Sequence, residues 1–315
     1  MHHHYIHCDM EEVNKLWVVV VVSNTARYKS RYELFKRFKQ SVEKAGANLF
    51  VVELAFGDRP FEITSPDDKH SLQLRTVDEI WHKENMINLG VAHLPEDWKY
   101  VAWIDADIDF MRDDWVTEIV HQLQHYRVIQ LFQNAIDLGP QGEVLKIHDG
   151  FVWSFMNDRP LPSPRLNYPH WHPGFAWAMR RETWNDLGGL FDTAILGSAD
   201  HHMAWALVGK VLDYAPKQIS DSYRRNLLTW QERANFHVRQ NIGFMPGSIY
   251  HHWHGKKKDR RYQERWTILL KQNYNPDFDL KRDWQGLYTF THEGERMRND
   301  LRRYFHIRNE DSIDQ

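Results

Sequence analysis

The five consecutive valines in "KLWVVVVVS" constrain the fold of this chain more than any other feature. β-Branched side chains fit extended backbone, and a strand sends alternate residues to opposite faces. A run that is apolar at every position must therefore be buried on both faces, as a central strand of a parallel sheet is. From Leu16 to Val22 the run is also too short to cross a bilayer.

Beyond this run, helical and extended patterns alternate along the chain. "YKSRYELFKRFKQSVEKAG" has apolar residues at helical spacing and a stop at Gly46, and "NLFVVELAF" predicts a second strand. A polar loop, "GDRPFEITSPDDKHS", leads to an amphipathic helix, "VDEIWHKENMINLGVAHL", and "YVAWIDADI" predicts a third strand. "DDWVTEIVHQLQHY" reads as a helix with acids at the positive end of its dipole, and the strand "RVIQLFQ" closes this half. The pattern predicts an α/β domain with a mostly parallel central sheet flanked by helices.

From Asn134 to His170 the periodicity is weak and Pro and Gly are frequent, which predicts one long loop. Beyond it, "ADHHMAWALVG", "NLLTWQERANFHVRQN" and "RRYQERWTILLKQ" predict helices, and "GFMPGSIYHHWHG" a short strand running into a histidine cluster. The expected organisation is a tag-like N-terminus over 1–14, a catalytic domain over 15–270 divided at 133/134, and a helical C-terminal extension over 271–315.

Composition bounds the function. With 42% apolar and 26% charged residues the chain is ordinary globular protein. The 14 Trp are mostly expected in the core, with some stacking on flat polar ligands such as sugars. A net charge of −3 gives no general attraction to nucleic acid, although residues 251–308 carry 14 Lys or Arg against 8 Asp or Glu. Cys8 is the single cysteine, so no intrachain disulfide forms, and with no secretion signal ahead of the first strand the expected location is the cytoplasm.

The chemistry concentrates in "KYVAWIDADIDF". If the strand continues, Asp105, Asp107 and Asp109 share one face. Such crowding needs a positive partner, and a divalent cation fits better than a solvated strand end or a metal-free carboxylate pair. Ligands of open parallel sheets bind at the carboxyl ends of strands, where this motif falls.

These residues carry a resemblance. "LWVVVVVS…R", "WHKENMINLG" and "WIDADIDF", in that order, resemble the nucleotide-sugar half of glycosyltransferases with the GT-A fold, whose Asp-x-Asp motif binds a divalent metal, usually manganese. "HPGFAWAMRRETWNDLGGLFDTAILGSADHHMAWAL" resembles their acceptor-side segment, in which an acidic residue, here Asp200, opens a helix. "HWHGKKK" is similar to the His-x-x-Gly-x-x-Lys pattern of glycogenin-like members, except that Asp259-Arg260 stands where Pro-Trp is usual.

The resemblance implies a metal-dependent transfer of a sugar from a nucleoside-diphosphate sugar to a hydroxyl. It makes Asp107 a direct ligand of Mn²⁺ (or Mg²⁺), and Asp105 a second residue of the metal site, in contact with the ribose or with metal-bound water. His252 is the third ligand by position, with His254 and His251 as alternatives, while Gly255 and Lys258 face the diphosphate. One imidazole beside two carboxylates favours Mn²⁺ over Mg²⁺. Lys256, Lys257, Arg260 and Arg261 add positive charge. Ser23, Thr25 and Arg27, at the end of the first strand, and Lys83, beside Glu84, are expected near the donor nucleotide. Asp200 is the expected general base of an inverting reaction, and His170 and His172 are expected to line the acceptor pocket. The acceptor is open: a glycan, a protein, a small metabolite or a hydroxymethylated base in DNA. The competing class is an Asp/His metallohydrolase or phosphodiesterase; no His-Glu-x-x-His pattern supports it.

Overall fold

The computed structural model describes residues 10–162 and 170–313. Its thirteen strands are, in chain order, β1 (Leu16–Ser23), β2 (Asn48–Phe56), β3 (Ser71–Thr76), β4 (Tyr100–Ile104), β5 (Ile108–Phe110), β6 (Val128–Gln130), β7 (Asn134–Leu138), β8 (Val144–Asp149), β9 (Ala176–Arg180), β10 (Ile242–Phe244), β11 (Ser248–His251), β12 (Leu280–Arg282) and β13 (Tyr288–Phe290). Seven form the central sheet in the order β10-β6-β9-β4-β1-β2-β3. Every neighbouring pair in it is parallel except the two made by β9.

The valine strand behaves as its sequence demands. Leu16, Val18, Val20 and Val22 pack into one core cluster, and Trp17 and Val19 into another on the opposite face. β4 divides likewise, with Val101 and Trp103 on one face and Tyr100, Ala102 and Ile104 on the other. Helix Lys29–Lys44 supplies Phe35, Phe38 and Val42 to one layer, and helix Lys83–Ala92 supplies Met86, Ile87 and Val91 to the other. Gly90 lets this second helix lie close on the sheet, since a Cβ there would stand 2.8 Å from a Val52 methyl. Nine of the 14 Trp are buried.

Four expectations are corrected. β3 starts at the last residue of the expected polar loop and fills the stretch before the expected helix, for which no strand is expected; it lies at the sheet edge and buries only Leu74 and Thr76, too few positions to give a sequence signal. The helix expected from Val77 begins at Lys83. Residues 134–170 are not one loop: β7, β8 and helix Phe151–Met156 fall within them. β8 is an edge strand with Val144, Leu145 and Ile147 exposed, so its apolar residues obey no burial pattern that a sequence could announce. Met10–Val13, inside the expected tag-like end, form a helical turn, and Glu12 accepts a hydrogen bond from the Tyr100 hydroxyl at 3.0 Å. Cys8 and the histidines before it lie outside the described residues.

A second sheet, β5-β11-β7-β8, adjoins the first and positions the site. The last 45 residues hold the hairpin β12–β13 as well as helix Arg298–His306. Their end returns to the start of helix Lys29–Lys44, where the Asp311 carboxylate accepts from the Lys29 and Ser30 amides at 2.9 and 2.7 Å. No helix among the described residues is long and apolar enough to cross a membrane.

Candidate metal and nucleotide site

A cleft of about 500 Å³ opens beyond the carboxyl ends of β1 and β4. Asp105, Asp107, Asp200, His172, His251 and His254 line it, together with the cations Arg31, Lys83, Lys257, Arg260, Arg265 and Arg308.

The three acids of "WIDADIDF" do not stack on one strand face. β4 ends at Ile104, residues 105–107 turn, and Ile108–Phe110 joins the second sheet as β5. Each carboxylate consequently meets its own partner. Asp105 pairs with Lys83, Asp107 faces His251 and His254, and Asp109 pairs with His252 at 2.9 Å and Arg37 at 2.7 Å. Separate partners relieve the like-charge repulsion that a shared face would have imposed.

β11 brings the histidines in. It pairs with β5 on one side, setting His251 opposite Ile108, and with β7 on the other, setting His251 opposite Asp137. The Asp107 carbonyl accepts from the His252 amide at 2.9 Å, which fixes the two chains together. Adjacent residues of extended chain face opposite ways. His251 therefore points into the cleft and His252 away from it, to Asp109. His251 and His254, rather than the His252 that the resemblance named first, stand beside Asp107.

Three donor atoms converge. His254 Nε2 lies 3.0 Å from Asp107 Oδ2, His251 Nε2 lies 3.2 Å from His254 Nε2, and His251 Nε2 lies 3.7 Å from Asp107 Oδ2. Donors bound at ~2.1 Å to one ion lie ~3.0 Å apart at right angles and ~3.4 Å apart at tetrahedral angles. The triangle fits a single ion, and these residues form a group whose ligand atoms all lie within 4.8 Å of one another. Asp107 Oδ1 is buried without a hydrogen-bond partner, an orphan that an ion or its water would satisfy. Two imidazoles and one carboxylate suit a first-row transition ion better than Mg²⁺.

Asp137 completes the arrangement from behind. Its carboxylate accepts from His251 Nδ1 at 2.8 Å and from His148 Nε2 at 2.7 Å, and it pairs with Lys257. A carboxylate on the far nitrogen of a ligating imidazole fixes its tautomer and raises its basicity. Burial pushes the Asp137 carboxyl up, yet the bonds from His148, His251 and Lys257 outweigh it and hold Asp137 far below the usual range. Asp107 shows the same balance, burial being overcome by His251 and His254. Burial and the Arg260 guanidinium push His254 down to about 4, so it is neutral and available as a ligand.

The remaining expected residues divide. Ser23, Thr25 and Lys83 line the cleft. Arg27 does not; its guanidinium pairs with Glu62 at 3.0 Å on the surface. Gly255, with φ at +87°, packs against the backbone of Asn309, where a Cβ would come within 2.7 Å of a carbonyl oxygen. Its role is to let the C-terminal segment approach. Lys258 is exposed, and Lys257 takes the place at the cleft. His172 lines the cleft, whereas His170 pairs with Asp149.

Asp200 lies in the first turn of helix Ala199–Leu207, whose N-cap is Ser198. One carboxylate oxygen accepts from the His201 amide at 2.8 Å. The other faces Gly174, where a Cβ would stand 2.9 Å away, so the absence of a side chain at 174 keeps this carboxylate open to the cleft.

Sequence reasoning missed Arg31, Asp137, Arg265, Arg308 and Glu310. Glu310 is buried and joins Arg31 at 2.7 Å and Arg308 at 2.9 Å, binding the C-terminal segment to the cleft wall.

Glu84, behind Lys83, is buried, and burial pushes its carboxyl up to about 8. Its neutral form stabilises the fold fully below the unfolded value of 4.5, and that contribution is lost as pH rises through about 8. The expected slope is about 1.4 kcal/mol per pH unit. Glu84→Gln removes it: between pH 5 and pH 8 the urea midpoint should fall in the wild type and hold in the variant. An equal fall in both would contradict the assignment.

No protein-family model and no curated protein matches the sequence. Solved structures similar to the chain include the catalytic domain of Drosophila β1,4-galactosyltransferase 7 in complex with xylobiose, at 14% identity and a TM-score of 0.32. That match covers 60% of this chain and 58% of the other, less than two thirds of its length. S. aureus TarS 1–349 in complex with UDP-GlcNAc matches at 10% identity, covering 71% and 67% of the two chains with a TM-score of 0.39. The 4-diphosphocytidyl-2C-methyl-D-erythritol synthase from Anaerococcus prevotii matches at 10% identity, covering 75% and 89% with a TM-score of 0.34.

Proposed function

We propose that the protein is a metal-dependent glycosyltransferase that moves a sugar from a nucleoside-diphosphate sugar to an acceptor hydroxyl. One observation carries this reading: Asp107, His251 and His254 converge at the carboxyl end of the sheet, in a cleft that also holds six cations and Asp200. A diphosphate needs positive charge, and an attacking hydroxyl needs a base across the cleft from it.

Asp107, His251 and His254 would hold the ion, with Asp137 orienting His251. A bound divalent ion supplies charge that stabilises a departing diphosphate. Lys257 and Arg260, beside the triad, contact the same phosphates, and Ser23 and Thr25 contact the nucleoside. Asp200 takes the proton of the acceptor hydroxyl as that oxygen bonds to the anomeric carbon, and the bond from that carbon to the diphosphate breaks. Mn²⁺ is the preferred ion given the two imidazoles.

Asp200→Asn separates the roles. It should keep Mn²⁺ and nucleoside diphosphate binding within about twofold and lose about 10²–10⁴-fold in transfer, the usual contribution of a positioned base. Calorimetry with UDP, GDP, CDP and ADP, and diphosphate release from the matching sugar nucleotides, measure the two. Release that needs Mn²⁺ but no acceptor, in water alone, would favour the metallohydrolase instead.

A further inference from the structure

We propose that the acceptor carries an anionic group, a phosphate or a carboxylate, and that Arg265 holds it with Tyr262 and Arg260 beside it. This rests on the glycosyl-transfer reading above.

The charge inventory of the cleft leads there. Arg31 and Arg308 share the Glu310 carboxylate, Lys83 pairs with Asp105 and Lys257 with Asp137. Among the described residues, Arg260 and Arg265 form no ion pair with a carboxylate, and the Nε of each is buried without a hydrogen-bond partner. Arg260 is only 7% exposed. Removing a guanidinium from water is costly. Arg260 has the charges of Glu310 and Asp107 near it, whereas the partly buried Arg265 lines the cleft with no carboxylate paired to it, which leaves its charge for a bound anion. Guanidinium groups match phosphate and carboxylate oxygens in a bidentate fork.

The two arginines are physically joined. Arg260 Nη1 donates to the Tyr262 hydroxyl at 3.1 Å, and the Arg265 guanidinium lies 5.0 Å from the Tyr262 ring centroid. Their positions differ, however. Arg260 Nη2 lies 2.8 Å from His254 Nε2, on the triad side, where the diphosphate binds. Arg265 Nη1 reaches the Leu196 carbonyl at 3.5 Å, and a Cβ on Gly197 would stand 2.9 Å from it. The stretch Leu196–Ser198 runs directly into the helix that presents Asp200. Arg265 therefore stands on the side of the base, where the acceptor hydroxyl must lie, and its charge is left for the acceptor.

The test uses protein loaded with Mn²⁺ and an equimolar mixture of UDP, GDP, CDP and ADP. Calorimetric titration with glucose 6-phosphate, glucuronate and glucose should show the two anions binding about 10- to 100-fold more tightly than the neutral sugar, as charge-assisted hydrogen bonds imply. Arg265→Gln should erase the difference while leaving nucleotide binding intact, and Arg265→Lys should restore part of it. Equal binding of all three sugars by the wild type, or a preference that survives in Arg265→Gln, overturns the proposal. If Arg265→Gln instead weakens UDP-glucuronate but not UDP-glucose, the anionic group belongs to the donor and the acceptor assignment falls. If no nucleotide binds with Mn²⁺, the transfer reading fails by itself; anion binding that depends on Arg265 would then show an anion site that is not an acceptor site.

Discussion

Asp107→Ala is expected to abolish specific Mn²⁺ binding and, with it, transfer. Asp107 is the only carboxylate of the three-donor group, and both histidines face its Oδ2 atom. Removing an outer partner of a metal ligand already costs 10–100-fold in affinity, so loss of the carboxylate itself should exceed about 100-fold by calorimetry. Activity should fall by about 10³-fold or more, since even one lost donor to developing charge costs 10²–10³. His252→Ala is the matched control: its ring pairs with Asp109 away from the cleft, and Mn²⁺ affinity should hold. Wild-type affinity should also weaken as pH falls. Burial opposes the charged form of His251, but Asp107 and Asp137 raise its affinity for a proton, which an incoming ion must displace. An Asp107→Ala protein that binds Mn²⁺ like the wild type would rule out the triad as the metal site.

Glu310→Gln should give the largest loss of stability. The Glu310 side chain is fully buried between Arg31 and Arg308. Burial pushes its carboxyl up, but the two guanidiniums prevail and hold it down to about 2, against 4.5 when unfolded. The stability it contributes is complete above 4.5 and lost as pH falls through about 2; the gap corresponds to about 3 kcal/mol. Neutralising it leaves two guanidiniums without their counter-ion, which typically costs about 3–5 kcal/mol. Denaturant unfolding at pH 7 should show a loss of that size. Between pH 5 and pH 2 the variant should also lack the part of the wild type's decline that Glu310 contributes. A change below about 1 kcal/mol would mean that the C-terminal segment is not anchored here.

The contrast between Asp107 and Glu310 shows what the sequence could disclose. β1, β2 and the helices Lys29–Lys44, Trp115–His125 and Tyr262–Lys271 stand where periodicity places them, because burial on a fixed face leaves a repeat that can be read locally; the helix expected over 226–241 instead starts at Asp221 and gives way to a π-helix at Ala234. Asp107 is legible too, standing just beyond the apolar run Tyr100–Ile104, which reads as a buried strand. Asp137 is hidden: β7 is short, and its neighbour β8 exposes its apolar residues, so the whole segment reads as loop. From sequence, His251 and His254 are only alternatives to His252. Choosing among them needs the register of β11 between β5 and β7, which depends on three distant segments. Glu310 leaves no local signal, since an acidic residue near a chain end reads as solvated until Arg31 and Arg308 are seen around it. Arg265 is similar, an ordinary charge on an amphipathic helix until the cleft is formed.

The central claim is that one divalent ion sits among Asp107, His251 and His254. An anomalous difference map, recorded near the manganese absorption edge from crystals grown with Mn²⁺ and a nucleoside diphosphate, tests it most directly. The expected result is a single strong peak in contact with Asp107, His251 and His254, with a phosphate oxygen completing its sphere. A peak at Asp109 and His252, or none in the cleft while the nucleotide is bound, would contradict it.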